Sequence, residues 1–361
     1  MNSAFYTSEA LCLLRKLISV SRISRQESQA ADIMAAELDR LGFEPKREGN
    51  NVWASCPQFD SNLPTLLLNA HLDTVRPVAS WTRNPLSADL EEGVLYGLGS
   101  NDCGGGLVSL LQVFRILATD GSAGCNLIFL ASAEEEVSGS EGITRVLPLI
   151  PEIDAAIVGE PTSMRPAIAE KGLMVVDAVA HGRSGHAARE EGVNAISVAI
   201  EDIEWLRGER FPKISQLLGK VKATITIISA GTQHNVIPDR CEFTIDVRSN
   251  ELYSNLQILN IMKEGMRSSL KARSLRLNSS CIDMDHPLVK QCLRMGMKPF
   301  GSPTLSDQAL MPFPSIKIGP GDSARSHSAD EYIKVEEIAE AIPTYLRLIR
   351  GAYPGKSEKE G

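Results

Sequence analysis

Leu66-Leu67-Leu68-Asn69-Ala70-His71-Leu72-Asp73-Thr74 is an apolar run that ends in a histidine, one spacer and an aspartate. Side chains alternate faces along an extended strand, so His71 and Asp73 point the same way if this run is a strand. An imidazole and a carboxylate then meet at the end of a buried strand, a donor pair that suits zinc, manganese or cobalt. Taken alone, the pattern also describes a solvated strand end. Its weight comes from its recurrence along the chain.

The apolar run 127–130 leads into Ala131-Ser132-Ala133-Glu134-Glu135-Glu136. Residues 155–158 lead into Gly159-Glu160-Pro161-Thr162, and residues 315–318 into Gly319-Pro320-Gly321-Asp322 and then His327. In each case an acid or a histidine follows the C-terminal end of a strand. Helical periodicity marks residues 8–18, 27–41 and 107–118, and 51–55 is a short strand. Strands alternating with helices predict an α/β fold, a mostly parallel sheet with helices on both faces and a site in the crevice beyond the strand ends. The glycine-rich stretch from Gly97 to Gly106 lacks the Walker spacing and its Lys-Ser/Thr. It reads instead as a backbone bend that delivers Asp102 to a crowded place.

From residue 170 the texture changes. Strands are expected over 173–180, 222–229, 241–248 and 275–282, and helices over 194–207 and 253–270. The order β-α-β-β-α-β is that of the ferredoxin-like unit. The expected organisation is a catalytic domain of residues 1–169 and 283–361 with residues 170–282 inserted as a lid or dimerisation domain. Lys171-Gly172 and residues 283–285 are the candidate hinges. The polar tail 353–361 is expected to be disordered.

The 361 residues carry a formal charge of -8 with no Lys/Arg-rich run, which argues against nucleic acid as a partner. No run approaches the roughly 20 apolar residues of a membrane helix. Residues 1–20 read as a first helix, not a leader peptide, so a cytoplasmic location is expected. Seven cysteines, at 12, 56, 103, 125, 241, 281 and 292, form no CxxC pair and indicate neither a disulfide framework nor a cysteine zinc site.

The strand ends gather His71, His327 and six carboxylates: Asp73, Asp102, Glu134, Glu135, Glu136 and Glu160. So many like charges in one crevice repel unless cations neutralise them. Two divalent ions sharing a carboxylate would do so, and an unliganded carboxylate beside them could act as general base.

The blocks LLLNAHLDTV, GLGSNDCGGG, SAEEE, VGEPT, GRSGHAA, HNVIPD and GPGDSARSH, in this order between residues 66 and 327, resemble the signature blocks of the dinuclear-zinc deacylase and carboxypeptidase family. Acetylornithine deacetylases, succinyl-diaminopimelate desuccinylases, glutamate carboxypeptidases and aminoacylases belong to it. The resemblance implies a zinc-exopeptidase-like fold and two Zn2+ per subunit, for which Co2+ or Mn2+ may substitute. It casts His71 and Glu160 as ligands of one ion, Glu136 and His327 as ligands of the other, and Asp102 as the bridge. Asp73 would orient His71, and Glu135 would be the general base. His186 would stabilise the oxyanion, often across a homodimer formed through the inserted domain. Asn235 and Arg248 would grip the substrate carboxylate, although a surface ion pair is the plain alternative for Arg248. His181, His234 and His286 are expected to be structural or exposed.

Two departures stand out. Glu134 replaces the family's usual aspartate, which leaves a one-residue shift of the base assignment open, and Cys103-Gly104 replaces the usual Met-Lys or Thr-Lys. The implied substrate is an N-acyl amino acid of arginine biosynthesis, acetylated or succinylated ornithine or citrulline. A succinyl-diaminopimelate desuccinylase and a di- or tripeptidase are the alternatives. Arg325, Arg189 and Lys171 are candidates to read a succinyl group.

Overall fold

The computed structural model describes residues 3–189 and 191–355. The chain divides into two compact units, Met1–Ile168 with Ile282–Phe300 and Ser306–Gly361, and Ala169–Cys281 with Gly301–Leu305.

The first unit is built on a sheet whose strands run Lys46–Glu48, Asn51–Ser55, Asn126–Ser132, Thr65–His71, Ala155–Val158 and Ser315–Lys317. Ala167 then pairs with Lys317. The four strands from Asn126–Ser132 to Ser315–Lys317 are mutually parallel, and Asn51–Ser55 joins them antiparallel. Every residue of Thr65–His71 and Asn126–Ser132 is buried, which is why these strands read as apolar runs without alternation. Helices Ser3–Ile18, Gly105–Asp120 and Val335–Ala352 pack together over one face. The other face carries Trp53, Leu67, Ile128, Leu130 and Ala156 beneath Ile143 and Val146 of a single-turn helix, so the expected two-sided cover is present but uneven. Burying leucines such as Leu66, Leu67 and Leu68 contributes about 1.5–3 kcal/mol each.

Helix Gly105–Asp120 starts two residues before the apolar periodicity does. Its first turn lies directly against the end of the Ala155–Val158 strand: a Cβ on Gly106 would stand 1.8 Å from the Gly159 carbonyl oxygen. This close approach draws the loop carrying Asp102 to the strand end that carries Glu160. The tail departs from expectation in part. Gly124 N–H donates to the Tyr353 carbonyl (2.9 Å) and Pro354 bridges to Ala123, so residues 353–355 are tied down by backbone bonds that composition does not reveal. Residues 356–361 lie outside the described residues.

The second unit is an antiparallel sheet in the order Lys222–Ala230, Arg240–Ser249, Gly172–His181, Ser269–Ala272, with helices Ala195–Arg207 and Asn255–Gly265. This is the ferredoxin-like arrangement. Its core joins Val176, Ala178, Phe243 and Ile245 of the sheet to Val198, Ile258 and Met262 of the helices. Two expected boundaries are wrong. The helix read as 253–270 stops at Gly265, and the closing strand is Ser269–Ala272, not 275–282, where only Ser280–Cys281 is extended, pairing with Ala167–Glu170. Asp202 explains the early stop. Its carboxylate accepts the Arg267 and Ser268 amides, both at 2.8 Å, and so draws the chain out of the helix.

Gly106→Ala is expected to destabilise the protein by about 1–3 kcal/mol, the range for overpacking a site with no slack. A urea-unfolding midpoint equal to the wild-type value would show that the helix can back away from Gly159.

Candidate metal centre

His71 is the last residue of its strand and is 1 % exposed. Its Nδ1 lies 3.0 Å from the Asp73 carbonyl oxygen and 3.5 Å from Asp73 Oδ1, while Nε2 points the other way, 3.2 Å from Asp102 Oδ1 and 3.7 Å from Glu160 Oε1. His327 approaches the same aspartate from the opposite side: its Nε2 is 2.9 Å from Glu136 Oε2 and 3.6 Å from Asp102 Oδ2. The two oxygens of Asp102 thus face two separate imidazole–carboxylate pairs.

Asp73 works behind this arrangement. It is fully buried, and its carboxylate accepts the Ser24 hydroxyl (2.6 Å) and the backbone amides of Glu135 (3.0 Å) and Glu136 (3.1 Å). One residue therefore orients the His71 ring, through its carbonyl oxygen, and fixes the acidic triplet, through its carboxylate. The triplet fans out. Glu134 sits at a positive φ of 55° and turns to the loop, where its carboxylate receives the Glu141 amide at 3.4 Å. Glu136 reaches His327. Glu135 lies between, with Glu160, Glu136 and Asp307 as its charged neighbours.

The electrostatics record the crowding. Burial first, then the other carboxylates, pushes Glu160 up to about 8 and Glu135 well above the usual carboxylate range. The bond to Glu136 raises His327 to about 9. Burial disfavours a charged His71, yet Cys103, Asp102 and Asp73 together hold its proton on well above the ordinary histidine value. The donor set fits divalent ions: one donor atom from each of His71, Asp102 and Glu136 lies within 4.8 Å of the others, and the same holds for His71, Cys103 and Glu160.

Three supporting residues escaped the sequence reading. Glu331, 2 % exposed, accepts the amides of Gly99 (3.0 Å), Asn101 (2.9 Å) and Asp102 (2.9 Å), and so holds the whole bend in place. Arg22, also 2 % exposed, donates to the carbonyls of Leu72 and Gly99, both at 2.7 Å, linking the strand end to that bend. Asp307 accepts the Ser132 hydroxyl at 2.6 Å, beneath the triplet. No local signal in the sequence marks Glu331 or Arg22.

The remaining candidates lie in the second unit. His186 bridges to Val236, and the Asn235 carbonyl accepts the Ala187 amide at 3.0 Å, so the GRSGHAA and HNVIPD blocks are neighbours. A hollow of about 630 Å3 beside them is lined by Ala187, Asn194, His234 and Ile237. Arg248 binds Asp246 through two bonds of 2.8 and 3.1 Å, the surface ion pair weighed above. Lys222 stands opposite Arg248 across the strands, and both charges act on Lys171. Of the other histidines, His181 contacts Ser269 and His286 caps helix Pro287–Arg294. Arg325 is engaged by Glu337 (2.7 Å) and stacks on Tyr332, and Arg189 is exposed.

Residues 67–351 match the model of peptidase family M20/M25/M40. The chain belongs to that family, and it is a hydrolase. Among its curated relatives are a succinyl-diaminopimelate desuccinylase of Corynebacterium glutamicum, 26 % identical over 92 % of this chain and 94 % of its own, and an acetylornithine deacetylase of Proteus mirabilis, 28 % identical over 89 % and 91 %. Solved structures of similar fold include the aminopeptidase PepT of Bacillus cereus, with a TM-score of 0.74 and 19 % identity over 96 % of this chain and 98 % of that one. A dinuclear metal-binding peptidase of family M20 from Bacillus subtilis gives 0.72 and 17 % over 96 % and 98 %. Among the described residues no helix is long and apolar enough to cross a membrane.

Glu331→Gln leaves one acceptor for three amides and is expected to weaken divalent-ion binding by about 10–100-fold, as losing an outer partner does. Isothermal titration of chelator-stripped protein with zinc measures it. Wild-type affinity in the variant would show that the bend holds its shape without the carboxylate.

Proposed function

We propose that the protein hydrolyses the amide bond of an N-acyl amino acid. The observation that carries this reading is the Asp102 carboxylate placed between the His71–Glu160 and His327–Glu136 pairs, with Glu135 alongside. His71, Glu160 and Asp102 would hold one Zn2+, and His327, Glu136 and Asp102 the other, with Co2+ or Mn2+ as substitutes. When bound, the ions would polarise the acyl carbonyl and bring the pKa of a water toward neutrality.

The side chains supply the rest. Asp73 keeps the His71 ring turned so that Nε2 faces the centre. Glu135, the member of the triplet engaged neither with the loop nor with His327, takes a proton from the attacking water and returns it to the departing amine. His186 donates to the developing oxyanion. Asn235 and Arg248 bind the substrate carboxylate, for which Arg248 exchanges Asp246 for the ligand in a bidentate pairing. The products are a carboxylic acid and a free amino acid.

Relatives of nearly equal similarity act on acetylated and succinylated amino acids, so either acyl group is supported. Our reading favours N-acetylornithine, or an N-acetyl or N-succinyl derivative of citrulline or ornithine, in arginine biosynthesis. Succinyl-diaminopimelate and di- or tripeptides are the alternatives. We place the enzyme in the cytoplasm, in keeping with seven free cysteines. It would act as a homodimer through the second unit, whose edge strand exposes Ile227 (61 %) and Ile228 (53 %).

Zinc-loaded protein is expected to turn over one substrate of a panel of N-acetylornithine, N-acetylcitrulline, N-succinylornithine, N-succinylcitrulline, N-succinyl-diaminopimelate and a dipeptide. Chelation should abolish turnover and added zinc restore it. Glu135→Ala should lose about 10²–10⁴-fold in kcat while still binding metal. Turnover of the dipeptide alone would move the protein to the peptidases, and an active Glu135→Ala would remove the base from the scheme.

Mixed dimers of Glu135→Ala and His186→Ala subunits are expected to regain activity if His186 serves the partner's centre. Inactive mixtures, with mixed dimers verified by mass, would place the histidine in its own subunit.

A further inference from the structure

We propose that Cys103 is a fourth protein ligand at the His71–Glu160 position, beside the shared Asp102, so that this half of the centre takes a thiophilic divalent ion through a mixed nitrogen, oxygen and sulfur set. The inference rests on the metal reading above and goes beyond it, since that reading requires only imidazole and carboxylates.

Several observations converge on the sulfur. Donor atoms of His71, Cys103 and Glu160 all lie within 4.8 Å of one another. The Cys103 side chain is 0 % exposed, so it is held among these groups and not out in water. The His71 amide donates to Sγ at 3.1 Å and Sγ lies 3.5 Å from the His71 carbonyl oxygen, so the sulfur is held against the same strand end as the imidazole. The neighbouring residue is Asp102, the side chain shared by both halves, and the backbone there is pinned by Glu331 through the Asp102 amide. Cys103 therefore reaches the His71 side of the centre without displacing Asp102. Among the described residues, the candidate donor group that includes Glu136, with His71 and Asp102, contains no sulfur.

The chemistry follows from donor softness. Thiolate selects zinc and cadmium over manganese or magnesium, whereas carboxylate and imidazole discriminate less. On binding, the thiol gives up its proton to solvent as the sulfur–metal bond forms, so ion uptake releases a proton. The two halves of the centre would then differ: a tight, zinc-preferring position at His71, and a more permissive one at His327, which is 55 % exposed.

The test is spectroscopic. Chelator-stripped full-length protein, kept reduced with a phosphine, is titrated with Co2+, as wild type and as Cys103→Ser and Cys103→Ala. Visible ligand-field bands report that cobalt is bound; a near-ultraviolet thiolate-to-cobalt band reports sulfur in the shell. The wild type is expected to show both, with the charge-transfer band complete at the first equivalent. Cys103→Ser should keep ligand-field bands, lose the charge-transfer band, and bind its first zinc about 10–100-fold more weakly with manganese little changed. Bound cobalt without charge transfer in the wild type would overturn the proposal and leave the metal centre standing. A band that survives in both variants belongs to one of the other six cysteines and overturns it equally. Failure of the wild type to bind cobalt at all would remove the metal reading and this inference together.

Discussion

The Asp102 carboxylate lies between two imidazoles, and much of the first unit is arranged to keep it there. A carboxylate shared between two positions must not rotate toward either, because each oxygen has its own partner. Its freedom is removed from the backbone side. Glu331 takes the amides of the bend, Arg22 clamps the bend's Gly99 carbonyl to the Leu72 carbonyl, and Gly106 lets the following helix close onto Gly159. These three contacts come from distant parts of the chain. They meet because four parallel strands end at one edge. The sheet supplies the common edge, and buried polar bonds supply the angular precision that apolar packing cannot.

Charge sets the second requirement. Asp73, Asp102, Glu135, Glu136 and Glu160 share one crevice; burial and neighbouring carboxylates push Glu135 and Glu160 up, whereas the pairing with His71 holds Asp73 and Asp102 low against the cost of burial. Arg22 is a guanidinium buried near them, and even its charge is opposed by its own desolvation. The donor atoms that converge there form the kind of set that divalent ions bind.

Much of this was legible in the sequence. An apolar strand writes itself as an unbroken run, and a reactive side chain just past it is visible against that background. His71, Asp102, Glu136, Glu160 and His327 could all be picked out this way and are brought together in space. The triplet could not be resolved from sequence, since three successive glutamates differ only in where the chain turns; the positive φ of Glu134 and its bond to the Glu141 amide separate them. Glu331, Arg22 and Asp307 were invisible because their partners are backbone groups or a serine up to 232 positions away. In the second unit the βαββαβ order was readable, but its last strand was misplaced. The signal that ends the helix there is Asp202, 65 positions upstream of the amide it binds.

The centre also has a history in time, because its donors are spread over a chain whose first unit is interrupted. His71, Asp102, Glu135, Glu136 and Glu160 all precede Ala169, whereas His327, Glu331 and the strand Ser315–Lys317 follow the whole second unit. A ribosome delivers residues in that order, and domains fold as units while synthesis proceeds. The second unit, with its own core, can finish while the first still lacks a strand of its sheet. The donors gathered at His71 are thus made more than a hundred residues before His327, so in the two-ion reading proposed above a nascent chain holds the parts of one position before those of the other.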